Sequence, residues 1–240
     1  MAKGLRYKRV VVKLSGEVLC APAGFGIDCS AVAMVVEELA AAVRTGAQLA
    51  VVIGGGNFLR GRHLQDDSTI QRVTADYMGM LATTMNAIAL RDALQHHDIR
   101  SEVLGAIAME CICGPVDIRR ARAMLDDGVV VILAGGTGRP FVTTDTCAAL
   151  RACEMGADAV LKATKVDGVY DSDPETNSNA KRYDRLTYQQ VLADRLGVMD
   201  LTAISLCMDN GIPIVVFKLS KAGNLAGVIR GKGIGTFVGE

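Results

Sequence analysis

The sequence predicts an α/β fold, a mostly parallel sheet covered by helices on both faces. Short runs rich in Val, Ile and Leu alternate with helical patterns from one end of the chain to the other. Three of those runs end in a glycine-dense turn: Ser15-Gly16, Gly54-Gly55-Gly56-Asn57 and Gly135-Gly136-Thr137-Gly138. No Pro/Ser-rich linker, internal repeat or change of composition divides the 240 residues, so 1–240 is expected to be one domain.

The elements follow in order. An apolar strand near 9–14 carries Lys13 just before its glycine turn. A helix opens around 28–30, with Val32, Val35, Val36, Leu39 and Val43 at the spacing of one buried face and Gly46 as its terminal glycine. A strand at 48–53 enters the triple glycine. A long helical pattern covers 72–97, and its stripe Met78, Leu81, Met85, Ile88 and Asp92 reads as core, the methionines filling gaps. Next come a strand near 102–108, a helix near 117–127, a strand at 129–134, a helix from about Asp145 to Gly156 and a strand at 159–162. The polar stretch 165–183 reads as a surface loop with room for a hairpin. Two more helices, a strand at 213–217 and a last strand at 234–238 complete the pattern.

Composition narrows the function. Lys+Arg and Asp+Glu are both 26, so no global basic field exists to hold nucleic acid or an anionic membrane, and phosphate must be bound by a local site. The seven cysteines contain no CxxC pair and read as small buried hydrophobes of a reduced compartment. The basic N-terminus leads into an apolar stretch too short for a signal-peptide core, and no run is long enough to cross a bilayer. A cytoplasmic protein is expected.

A glycine turn after a strand brings backbone N–H groups close to phosphate oxygens, and three such turns point to a substrate carrying several phosphates. The Walker A pattern and the GxGxxG spacing are both absent. Lys13 has two readings, a strand-end lysine reaching for solvent or a cation beside transferring phosphates. Arg60 and Arg62 both lie just beyond the triple glycine and spacing does not separate them. Asp145, after Thr143-Thr144, suits a helix cap as well as a functional carboxylate. Asp76 taken alone reads as a solvated helix residue. A histidine base has little support from His63, His96 and His97, and no serine or cysteine sits in a nucleophile motif. A phosphate acceptor would need no base, its oxygen being already anionic.

Five blocks in order resemble the uridylate (UMP) kinase branch of the amino-acid-kinase family. They are Lys13-Leu14-Ser15-Gly16-Glu17, Gly54 to Gly61, Asp76-Tyr77-Met78-Gly79-Met80-Leu81-Ala82-Thr83, Gly136 to Asp145, and Leu161 to Tyr170. The likeness runs on through Val198-Met199-Asp200-Leu201 to Gly235-Thr236. It implies a three-layer α/β/α sandwich, with an acceptor-binding first half and an ATP-binding second half. It also implies transfer of the ATP γ-phosphoryl group to UMP with Mg²⁺, in pyrimidine nucleotide synthesis.

The resemblance places ATP against Lys13, Leu14, Ser15, Gly16, Gly56, Arg60, Thr164, Tyr170 and Asp173. UMP falls to Gly55, Asp76, Thr137, Gly138, Arg139, Pro140, Phe141, Val142, Thr143 and Thr144, with Asp76 at the ribose. Lys13, Arg60 and Asp145 are the implied catalytic residues, and no direct metal ligand is identified. Homohexamers, activation by GTP and inhibition by UTP are also implied, with the 72–97 helix a candidate subunit contact. Two departures stand out. Arg139 replaces a small polar residue, often Asn, and Ala21-Pro22-Ala23 alters the loop tied to GTP.

Overall fold

The computed structural model describes residues 4–21, 24–59, 69–177 and 179–240. Its elements are β1 (Arg9–Leu14), α1 (Cys29–Val43), β2 (Gln48–Ile53), α2 (Arg72–His96), β3 (Ser101–Gly105) and β4 (Gly114–Pro115). Then follow α3 (Ile118–Asp126), β5 (Val130–Ala134), α4 (Thr144–Met155), β6 (Ala159–Thr164), β7 (Val169–Tyr170), β8 (Arg182–Tyr183) and β9 (Arg185–Leu186). The last are α5 (Tyr188–Ala193), α6 (Leu201–Asp209), β10 (Ile214–Lys218), α7 (Asn224–Ile229) and β11 (Thr236–Val238).

Nine strands form one sheet in the order β4-β3-β5-β2-β1-β6-β10-β11-β9. Every pairing is parallel except β10 with β11. The hairpin foreseen within 165–183 is β7–β8, a separate antiparallel pair. The β-branched content of the central strands suits burial on both faces. Val10, Val12 and Leu14 face the layer of α1, α2 and α7, whereas Val11 faces the layer of α3 to α6. The result is a three-layer α/β/α sandwich, and each buried Val or Leu side chain contributes about 1.5–3 kcal/mol.

The α1 stripe is borne out: Val32, Val35, Val36 and Leu39 are buried and Val43 is half-buried, with Asp28 capping the helix through Ala31 N at 2.9 Å. The reading of α2 is not. Leu81 and Met85 are 48% and 46% exposed, Met78 and Ile88 are only half-buried, and the stripe chosen from the sequence faces outward. The helix instead buries small and polar residues, Ala75, Ala82, Thr83, Asn86 and Ala87, together with Leu90 and Leu94. A close approach to a glycine loop explains the inversion. A Cβ at Gly55 would lie 2.9 Å from Ala82 Cβ and 2.7 Å from Gly79 O, so large side chains have no room on that face. The short β4, β9 and α7 carry no periodic signal and have no counterpart in the sequence reading.

Strand connections leave β1 toward β2 on one side and β6 toward β10 on the other. The chain therefore changes direction between β1 and β6, and their carboxyl ends form the crevice where such sheets bind ligands.

Candidate active site

Strand alternation builds the site. Lys13 shares the face of Val11, and Lys162 that of Val160, so both point toward α4. The two lysines are also register neighbours on β1 and β6. Asp145 lies in the first turn of α4 and meets both. Lys162 Nζ donates to Asp145 Oδ2 at 2.7 Å and to Val198 O at 2.5 Å. Lys13 Nζ is 2.8 Å from Asp145 Oδ1, an ion-pair contact outside hydrogen-bond alignment.

Asp145 is not the helix cap. That role belongs to Thr143, whose hydroxyl accepts from Asp145 N at 3.1 Å and Thr146 N at 3.2 Å. The carboxylate is thereby free for the lysines. Burial alone would raise the Asp145 pKa, but the two ammonium groups outweigh it and hold the carboxyl below its usual value. For Lys162, burial and the Lys13 charge push the pKa below the ordinary lysine value, against the pull of Asp145 and Asp200.

Asp200 caps α6 through Ala203 N at 3.0 Å and reaches back to α4. It accepts from Thr146 Oγ1 at 2.8 Å and from Thr143 Oγ1. Sequence reasoning did not assign a role to Lys162 or Asp200. The signal for Lys162 was available, since it interrupts the end of an apolar strand as Lys13 does.

A cavity of about 700 Å³ opens beside Lys13, a volume in the range of small-molecule sites. Its lining brings together Gly55, Gly56, Asp76, Thr137, Val142, Thr143 and Thr144 of the expected residues, with Glu17 and Thr83. Gly138, Arg139, Pro140 and Phe141 do not line it. Asp76 accepts from Arg72 Nε at 2.9 and 3.0 Å and from Phe141 N at 2.8 Å, so it ties α2 to the loop after β5. Phe141 sits at φ 67°, with the Arg72 guanidinium 5.7 Å from its ring centre.

The glycine turns are held from behind. Asn57 and Asn86, both buried, exchange hydrogen bonds of 2.9 and 2.7 Å, while Asn86 Nδ2 also reaches Gly54 O at 2.8 Å. A Cβ at Gly16 would lie 2.5 Å from Asn57 Oδ1 and 2.6 Å from Gly54 O, which is why glycine stands there. Thr83 Oγ1 accepts from Gly135 N at 2.7 Å and pins the third turn.

Thr164, Tyr170 and Asp173 are brought together elsewhere, around a second cavity of about 480 Å³ between the β7–β8 hairpin and residues 194–198. The Tyr170 hydroxyl donates to Asp167 at 2.5 Å and holds that carboxyl below its usual range, with Arg182 adding to the effect. Leu14 is buried in the core, so only its backbone can face a ligand. Ser15 caps the short 3₁₀ turn Gly16–Leu19. Arg60, with Arg62 and His63, lies outside the described residues. Among the described residues, no group of three or more His, Cys, Asp or Glu is placed to hold a metal ion.

A sequence model described as the amino acid kinase family matches residues 8–218. The chain is 51% identical over 238 residues to the uridylate kinase of Zymomonas mobilis, covering 99% of this chain and 98% of that protein. It is 50% identical over 235 residues to the uridylate kinase of Legionella pneumophila strain Corby, covering 98% and 95%. The crystal structure of UMP kinase from Bacillus anthracis superposes with a TM-score of 0.94 at 37% identity, over 97% of this chain and 96% of that one. The uridylate kinase from Archaeoglobus fulgidus gives 0.73 at 29% identity, over 95% and 99%.

Proposed function

The chain belongs to the amino acid kinase family, and from that premise we propose that it transfers the γ-phosphoryl group of ATP to UMP, giving UDP and ADP. The observation that carries the reading is the Lys13–Asp145–Lys162 cluster at the carboxyl ends of two adjacent strands, beside a cavity of nucleotide size. Two ammonium groups around one carboxylate leave a net positive charge where phosphoryl oxygens pass. Such fixed charge acts most strongly on the transition state, in which charge spreads over the transferring group. The UMP phosphate is already an anion and needs no base, which fits a cavity lined by no histidine among the described residues.

In this reading UMP occupies the larger cavity, lined by Gly55, Asp76, Thr137, Val142, Thr143 and Thr144, with Gly138 to Phe141 outside its lining. The adenosine of ATP occupies the second cavity against Thr164, Tyr170 and Asp173. The ATP phosphates run between them past Lys13 to Gly16, Gly56 and Arg60. The described carboxylates nearest the phosphates are already engaged, Asp145 by two lysines and Glu17 by Lys165 at 3.0 Å. They form no cage for Mg²⁺, which in this reading enters with ATP and is bound by phosphate oxygens and water.

The unbroken sheet supports taking the whole chain as one domain. Assembly into hexamers through the outward stripe of α2, activation by GTP, inhibition by UTP and a cytoplasmic place are parts of the same reading, drawn from the family. No described helix is long and apolar enough to cross a membrane.

The test is ADP release from ATP and Mg²⁺ with UMP, CMP, AMP or N-acetylglutamate as acceptor, with and without GTP. Turnover with UMP alone is expected. No turnover with any acceptor, in protein that binds ATP, overturns the kinase reading in favour of a nucleotide-binding role. Turnover with N-acetylglutamate in place of UMP points to a carboxylate kinase of the same fold.

A further inference from the structure

A third cavity, of about 650 Å³, lies behind the β7–β8 hairpin, between the β10–α7 loop and the turn that leads into β11. None of the expected site residues lines it. Lys218, Lys221 and Lys232 do, all exposed, and among the described residues no side-chain hydrogen bond or ion pair engages any of them. The lysines of the reaction site are different: Lys13 and Lys162 share Asp145, and Lys165 pairs with Glu17. The cavity's acid, Asp167, is already held by Arg182 at 3.2 Å and by the Tyr170 hydroxyl. In a chain of zero net charge, three unpaired cations around one concavity are a local excess, and a concave wall concentrates their field.

The loop from Lys218 to Asn224, which carries Lys221, is fixed. Glu38 of α1, buried, accepts from Gly223 N at 2.5 Å and from Leu225 N at 3.2 Å. Asn224 Nδ2 donates to Lys218 O at 2.8 Å and closes the other side of the loop. The backbones of Lys218 and Lys221 are thus pre-organised, and Lys232 N is held separately by Gly227 O at 3.0 Å, which lowers the ordering cost of binding. No aromatic ring lines the cavity, and its one guanidinium, Arg182, is engaged by Asp167 at 3.2 Å and Asp184 at 3.0 Å. Recognition must rest on charge.

We propose that this cavity is a second anion site, for a polyphosphate group, set behind the hairpin that walls the adenosine cavity. Lysine is suited to such a ligand as a mobile point charge with three donors. The ligand is either a free inorganic polyphosphate or the phosphate tail of a nucleotide.

The test is calorimetric titration of the full chain with inorganic triphosphate, in wild type, Lys13→Ala and Lys221→Ala/Lys232→Ala. Two classes of site are expected in wild type. Lys13→Ala should weaken one, and the double variant should weaken the other by about tenfold or more. Both lysines of the double variant are solvent-facing, so its fold should be retained, which circular dichroism checks. A single class in wild type, or two classes untouched by the double variant, overturns the proposal. Neither readout requires turnover, so it stands apart from the kinase reading. A parallel titration with a nucleoside triphosphate identifies the source: tighter binding than triphosphate at this site means a nucleotide tail, and equal binding means the free polyphosphate.

Discussion

Lys13 and Lys162 stand side by side in register on adjacent parallel strands and divide the two oxygens of Asp145 between them. All three side chains are nearly buried, at 12%, 14% and 13% exposure. Each lysine alone would be a costly buried charge, and the pair would repel. The shared carboxylate makes the arrangement tolerable, and one uncompensated positive charge remains beside the cavity. Asp145→Ala should therefore cost about 3–5 kcal/mol of stability, the penalty for stripping a buried charge of its partner. Chemical denaturation measures this, and an unchanged midpoint would remove Asp145 from its organising role.

Lys162→Met separates catalysis from stability. Its charge is disfavoured by burial, so the apolar replacement should leave the thermal midpoint level or higher. Turnover should fall about 10²–10³-fold, the usual loss when one fixed donor to a developing charge is removed. Steady-state kinetics with UMP and ATP decide the matter. Wild-type kcat in this variant would show that Lys13 suffices.

The two shifted groups act in opposite directions with pH. Asp145 titrates below its ordinary 3.8 in the folded protein, so its stabilisation is complete above that value and is lost as pH falls through the folded pKa. Lys162 titrates below its ordinary 10.5, so the folded state binds fewer protons than the unfolded between the two values, and its contribution to stability rises with pH there. The same deprotonation removes a cation from the site. The kcat/KM profile, which reports the free enzyme, should show an alkaline fall beginning below 10.5, within the window where the Lys162 contribution to stability rises. In Lys162→Arg the fall should move upward, because guanidinium stays charged. A limb at or above 10.5 in wild type sinks the assignment.

Asn86→Leu tests the support behind the glycine turns. It strands Gly54 O and Asn57 Oδ1, at roughly 1–3 kcal/mol for each group left unpaired, while Asn57 Nδ2 keeps its bond to Gly26 O at 2.7 Å. The melting temperature should drop by several degrees, and KM for ATP should rise as the turns around Gly16 and Gly54 loosen. Asn86→Asp with unchanged KM and midpoint would show that the amide pair is dispensable.

Strand-scale features were legible because they depend on local pattern. Apolar runs marked the central strands, glycine runs marked their ends, and Lys13 declared itself by interrupting a strand. The Asp145 role was half visible, since its sequence neighbourhood fits a cap and only the Thr143 hydroxyl bonds decide between the two. Lys162 needed the β1–β6 register to be seen as the partner of Lys13. The face of α2 was misread because hydrophobicity ranks Leu81 and Met85 above Ala82 and Thr83, whereas the inner face is set by closeness to Gly55. No scale applied to one segment contains that distance. The short α7 depends on Glu38 of a distant helix for its first amides.

That misread face makes the last prediction. Val73, Tyr77, Leu81 and Met85 recur every fourth residue along α2 and are each 39–48% exposed, so they form one outward apolar strip. The opposite face already packs on the glycine loop, so this strip is what α2 has left to bury against another molecule. A second copy of the chain is the occupant under the proposed hexamer, and each Leu or Met buried there would contribute about 1.5–3 kcal/mol. Leu81→Glu/Met85→Glu should therefore yield smaller species in sedimentation velocity while far-ultraviolet circular dichroism stays native. Retention of the wild-type sedimentation coefficient would remove α2 from the interface. Because the substituted side chains lie outside the core, loss of assembly in that variant reports on the contact between copies and not on folding of the protomer.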